Sequence, residues 1–190
     1  RAGLAAAFLL AMAAWAGPAR AAGVEFMPAP GAACEGCRAL LIGPERALAG
    51  LAEGLSARDV AVERLVAPPP ARLHHRVGRF FADAGTGDRL LLVFSGLVRR
   101  QEGLTLLLGA PPPSGSVGLP GLPIAALLDA ARESPATRTL LALDAPLPEG
   151  AAPPVAEAAD PADAPVLLAA PDGPAGALGR ALAARSEERR

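Results

Sequence analysis

The stretch "RLLLVFSG" at residues 89–96 decides how the rest of the chain is read. From Leu90 to Phe94 it is continuously apolar, and Ser95 and Gly96 close it. A short unbroken apolar run with no polar alternation is the pattern of a strand buried on both faces, which belongs inside a parallel sheet with helices packed against it.

The flanking segments supply those helices and further strands. Upstream, "ARLHHRVGRFFADAG" (71–85) sets Leu73, Val77, Phe80 and Phe81 at i, i+4, i+7 and i+8, the core stripe of an amphipathic helix. Before it, "VAVERLV" (60–66) carries β-branched residues and is stopped by three prolines, as suits a strand at or near a sheet edge. "PERALAGLAEGLSARD" (44–59) predicts a helix through Leu48, Leu51 and Leu55, with Pro44 at its first position. "RALLIG" (38–43) is another fully apolar strand.

Downstream, "LTLLLGA" (104–110) is a shorter strand-like run ended by Pro111–Pro113, followed by a Gly/Pro/Ser loop to Gly121. "LPIAALLDAARES" predicts a helix through Ile124, Leu127, Leu128 and Ala131. "TRTLLALDA" and "APVLLAA" complete the strands, and "ALGRALAARSEERR" reads as a short helix fraying into charge. This alternation specifies an α/β fold, a three-layer αβα sandwich with a mostly parallel sheet. The Ala/Pro/Asp segment from Pro146 to Pro165 has no periodicity and is expected to be a functional or disordered loop.

Composition sets the outer limits. The 190 residues suit one domain, and an apolar fraction of 52% with a formal charge of −1 marks a folded chain rather than a disordered one. The chain contains no Lys, Asn or Tyr, and abundant Ala, Gly, Pro and Arg, which reflects GC-rich coding before it reflects function.

"RAGLAAAFLLAMAAWAGPARA" has a basic start, an apolar run from Leu4 to Ala16, a Gly-Pro break and the small-x-small pattern Ala19-Arg20-Ala21. It is read as a secretory signal cut after Ala21, because the run is shorter than the about 20 residues of a membrane-spanning helix. The leading Arg in place of Met implies a somewhat longer start. Of the 18 basic residues, cleavage removes Arg1 and Arg20, leaving 16 against 19 acids. Such a balance excludes nucleic acid as a partner, and after cleavage no membrane span remains. The protein is expected to be periplasmic or secreted, with residues 22–37 a short N-terminal segment, 38–186 the domain and 187–190 a charged tail.

Export places the only two cysteines, Cys34 and Cys37, in an oxidising compartment. They precede a strand instead of opening a helix, so a structural disulfide is expected over a thioredoxin-type redox pair, which needs a helix N-terminus to lower a thiol pKa. Gly31, three residues before Cys34, rules against a lipid-anchored cysteine.

In an open parallel sheet ligands bind beyond the carboxyl ends of the strands. The residues there are Ser95, Gly96 and Leu97 after one strand and Asp144, Ala145 and Pro146 after another, and only Ser95 and Asp144 are polar. Ser95 lacks the glycine two positions earlier that a nucleophile elbow needs. "GTGD" (85–88) precedes its strand and is no dinucleotide loop. His74 and His75 are adjacent on a helix, about 100° apart, and do not converge on a metal. No cofactor is implied.

In order and spacing the segments resemble the bacterial caspase-like cysteine peptidases, the group that includes metacaspases, over roughly residues 38–186. "ALLIG" (39–43) is similar to that family's first strand, and "VFSGLV" (93–98) to a third strand that ends in Ser/Ala-Gly-His-Gly. "TLLLGA" resembles the family's "YLLPVDA" segment, "GLPIAALLDAAR" its following helix, and "LALDAPLP" its strand ending in Asp-Ala-Cys-Arg. The resemblance puts Leu97 at the general-base His position and Pro146 at the nucleophilic Cys position. Their separation, 146 minus 97 or 49 residues, is close to the family's about 50.

Leucine and proline can neither take nor hold a proton, so the resemblance implies a caspase-like frame without its reaction. Val98 in place of the glycine after the His position, and the short "PERALAG", depart from the family in the same direction. The expected function is an inactive pseudopeptidase that binds a peptide or protein partner. The alternatives are a hydrolase built on Ser95 and Asp144, and a structural or regulatory module fused to further domains.

Overall fold

The computed structural model describes residues 34–110 and 121–143 and the backbone of 144 and 166–169. The expected signal segment, Ala145 and Pro146, the loop to Pro165 and the C-terminal helix lie outside the described residues.

In chain order the elements are β1 (Cys37–Gly43), α1 (Glu45–Ser56), β2 (Ala61–Val66), α2 (Pro70–Ala82), β3 (Arg89–Ser95), β4 (Leu97–Gln101), β5 (Leu104–Leu108), β6 (Leu122–Pro123), α3 (Ile124–Glu133), β7 (Arg138–Asp144) and β8 (Val166–Ala169). Five strands form one sheet in the order β2-β1-β3-β7-β8, every pairing parallel. A second, three-stranded sheet in the order β4-β5-β6 is antiparallel. The protein is therefore α/β with a mostly parallel main sheet, as the alternation of segments predicts. The proline-stopped β2 forms an edge.

Side chains of the three central strands divide by parity. Leu40, Ile42, Leu90, Leu92, Phe94, Leu141 and Leu143 join one buried cluster with Leu73, Val77, Phe80 and Phe81 of α2 and Ile124, Leu127 and Ala131 of α3. Their sequence neighbours Ala39, Leu41, Leu91, Val93, Leu140 and Ala142 join a second cluster with Leu48, Leu51, Ala52 and Leu55 of α1. Each strand thus faces apolar side chains on both sides, which is why these runs carry no polar alternation.

The edge strand is tied differently, through charges pointing opposite ways. Arg64 of β2 pairs with Glu45 of α1 at 2.6 Å, and Glu63 accepts from Arg76 of α2 at 2.5 Å. The Glu63 carboxylate holds the Arg76 guanidinium above its ordinary pKa through the hydrogen bond and their charge attraction.

Two details differ from the sequence expectation. Pro44 stands just outside α1 as its N-cap, with φ −70° and ψ 143°, an extended conformation that a helix interior excludes. Residues 97–101, which carry no strand signal of their own, form β4. The Glu102-Gly103 turn that joins it to β5 has φ of 51° and 80°, the two positive values of a tight hairpin turn whose twist matches its strands.

Truncating Leu92→Ala at the centre of β3, where the side chain is 1% exposed, is expected to cost about 2–5 kcal/mol. Leu104→Ala, at a site 50% exposed, is expected to stay within about 0.5 kcal/mol of the parent. Chemical denaturation midpoints of the two variants check the contrast.

Candidate functional site at the strand tips

From β1 the chain passes to β2 on one side, and from β3 it continues to β7 on the other. The topological switch point lies between β1 and β3, the place where open α/β sheets form their ligand crevice. Gly43 ends β1 and Ser95 ends β3.

These two residues are in contact. A Cβ on Gly43 would lie 2.4 Å from the Ser95 carbonyl oxygen and 3.0 Å from Ser95 Cβ. Only hydrogen fits there, so the Ser95 backbone lies directly against Gly43 at the strand tips.

On the other side of β3 the register sets Ser95 opposite Asp144 as parallel neighbours. Ala145 and Pro146 follow Asp144 directly and lie outside the described residues. Two of the six cleft positions singled out in the sequence are thus register partners at one sheet end, and Gly96 and Leu97 continue from the first of them.

Gly96 makes the tight passage from the main sheet into the hairpin. A Cβ there would meet Phe94 Cζ at 2.8 Å and the Leu108 carbonyl oxygen at 3.1 Å. Leu97 begins β4, pairs with Leu108, and is 49% exposed. The position that the caspase resemblance gives to a general base therefore presents hydrocarbon to solvent beside the β3 tip.

Ser95 is the one buried polar residue of the described core, 8% exposed, and no buried polar side-chain atom among the described residues lacks a partner. Neither histidine serves it. His74 donates from Nε2 to the Gly121 carbonyl at 3.1 Å, joining α2 to the residue before β6, and His75 is exposed on the same helix. Among the described residues no imidazole stands beside the Ser95 hydroxyl, and an alcohol needs such a base to become a good nucleophile. Among the described residues no three His, Cys, Asp or Glu side chains are grouped to hold a metal ion.

Comparison with known proteins adds no family. No protein-family model matches the chain, and no curated protein sequence matches it.

At the opposite end of β1, Cys34 and Cys37 form a close pair, with Cα atoms 5.3 Å apart and the Cys37 N–H donating to the Cys34 carbonyl at 3.1 Å. Both are buried against the α1 side of the sheet. Among the described residues no helix is long and apolar enough to cross a membrane.

What the sequence did not disclose at this end is the Gly43–Ser95 contact, since it joins residues 52 positions apart, and the hairpin that turns Leu97 outward. The Glu-Gly pair before "LTLLL" was the available signal for the hairpin.

Gly43→Ala is expected to lower stability by about 1–3 kcal/mol, because the methyl must displace the β3 backbone at Ser95. Thermal unfolding followed by circular dichroism measures the loss.

Proposed function

We propose that the chain is an exported caspase-like domain, a three-layer αβα sandwich that has lost peptidase chemistry and serves as a peptide- or protein-binding module. The observation that carries this reading is Leu97, exposed at the tip of β3, where the resembled family keeps its base. Support comes also from the parallel pairing of β3 with β7, because the two strand tips that would have to cooperate are neighbours.

A thiol peptidase needs a thiolate and an imidazole within hydrogen-bond reach, so that one attacks the carbonyl and the other protonates the leaving amine. With Leu97 and Pro146 in those positions neither proton transfer nor attack has an agent. A surface that once oriented a peptide can still bind one, since binding draws on shape and backbone hydrogen bonds rather than on the reacting pair.

The same proposal covers location. The amino-terminal segment directs the chain to the periplasm or outside the cell, signal peptidase cuts after Ala21, and the Cys34–Cys37 pair is oxidised there. A disulfide so short in span constrains the approach to β1, while the core supplies the bulk of the stability.

Purified mature protein is expected to show no turnover of fluorogenic peptides carrying Arg, Lys or Asp at the cleavage position. Turnover that disappears in Asp144→Ala, or covalent labelling of Ser95 by a serine-directed fluorophosphonate probe, would establish the hydrolase instead.

Intact-mass analysis of protein recovered from an exporting host is expected to give a chain beginning at Ala22 with no thiol that reacts with iodoacetamide before reduction. Two freely alkylated cysteines in that sample would remove the disulfide.

A further inference from the structure

We propose that the outer edge of β4 binds an extended acidic peptide by strand addition, with two consecutive carboxylates opposite Arg100 and Arg99 and an apolar residue opposite Leu97. The proposal rests on the binding-module reading and names the site and partner chemistry for it.

β4 is the terminal strand of the small sheet, paired on one side with β5. Its two-residue turn fixes which backbone groups are used. Gln101 and Leu104 flank the turn as a hydrogen-bonded pair, so Arg99 with Leu106 and Leu97 with Leu108 follow in the same class. Val98 and Arg100 fall in the alternate class, and their N–H and C=O groups point away from β5. Among the described residues no strand takes them up.

Two neighbouring side chains on this edge are basic and, among the described residues, unpaired. Arg99 and Arg100 are both exposed, and neither makes an ion pair or hydrogen bond among the described residues. Arg38, Arg64, Arg76, Arg79 and Arg132 each hold a carboxylate instead. Two adjacent arginines on a strand project to opposite faces, so an added strand meets them with two adjacent residues. Leu97 shares the Arg99 face two positions away and is half exposed.

Charge selects the occupant. A two-fold antiparallel pairing of two β4 edges centred on either arginine sets that arginine opposite its own copy, and like charges directly opposite are destabilising. An acidic strand reverses the sign of that term. In antiparallel register the partner reads acid, acid, any residue, apolar, from its amino end, opposite Arg100, Arg99, Val98 and Leu97 in turn. Main-chain hydrogen bonds supply affinity and the alternate side chains supply selection, as in other strand-addition complexes.

The test uses the mature protein and a fluorescent peptide of sequence Ala-Glu-Glu-Val-Leu-Ala, followed by polarisation. Saturable binding that weakens as salt is raised is expected. R99E/R100E, with its fold checked by far-ultraviolet circular dichroism, should weaken binding roughly tenfold or more. Independently of any variant, N-methylation of the peptide valine should abolish binding, because its N–H points to the Val98 carbonyl. N-methylation of the second glutamate should leave binding intact, because that N–H points outward. No saturable binding, equal effects of the two N-methyl groups, or indifference to R99E/R100E would each overturn the proposal, as would sedimentation showing that β4 is occupied by a second copy. Peptide hydrolysis by the same protein would refute the pseudopeptidase and leave strand addition standing, so the two failures are distinguishable.

Discussion

The parallel pairing of β1 with β3 is the constraint on which the rest of the molecule depends. From Cys37 opposite Arg89 to Ile42 opposite Phe94 the two strands run side by side, and nearly every residue between is buried. Burying an aliphatic side chain of this size contributes about 1.5–3 kcal/mol, and here alternate residues spend that burial on opposite faces. A one-residue slip would exchange the two faces and set Leu92 where Leu91 meets α1. The register therefore fixes the helices, and the helices fix the register.

The same pairing determines what the strand tips can do. Because β1 ends in a glycine, the Ser95 backbone can press directly against it at the strand tips. Because β7 lies on the other side of β3 in register, Ser95 and Asp144 end together. The chain then leaves β3 through Gly96, where any side chain would collide with Phe94, and turns at once into a hairpin. A leucine, not an ionisable group, is the first residue to emerge. The proposed loss of catalysis follows from which side chain occupies that exit, and the proposed binding edge follows from the hairpin that begins there.

Stability and the proposed recognition draw on different residues in this arrangement. The core strands are hydrocarbon throughout, while the hairpin carries the arginines that no carboxylate among the described residues neutralises. Arginine on an edge strand also discourages pairing with another copy. Repulsion between copies and attraction for an acidic strand are two consequences of the same charges.

The sequence by itself determined the elements of the main sheet. Runs such as "ALLIG", "LLLVF" and "TLLAL" are apolar on both parities, and the helices carry a single stripe, so strand and helix were legible from period alone. The prolines after Val66 likewise disclosed an edge, since proline cannot donate to a neighbour. The tertiary structure alone decided the strand order, the Gly43–Ser95 contact, and β4. Order depends on which buried faces pack together across long separations, and a glycine does not reveal what will press against it. "LVRRQ" has no apolar alternation: of its residues Val98 packs against the core, and the tight turn and β5 hold the remainder in place.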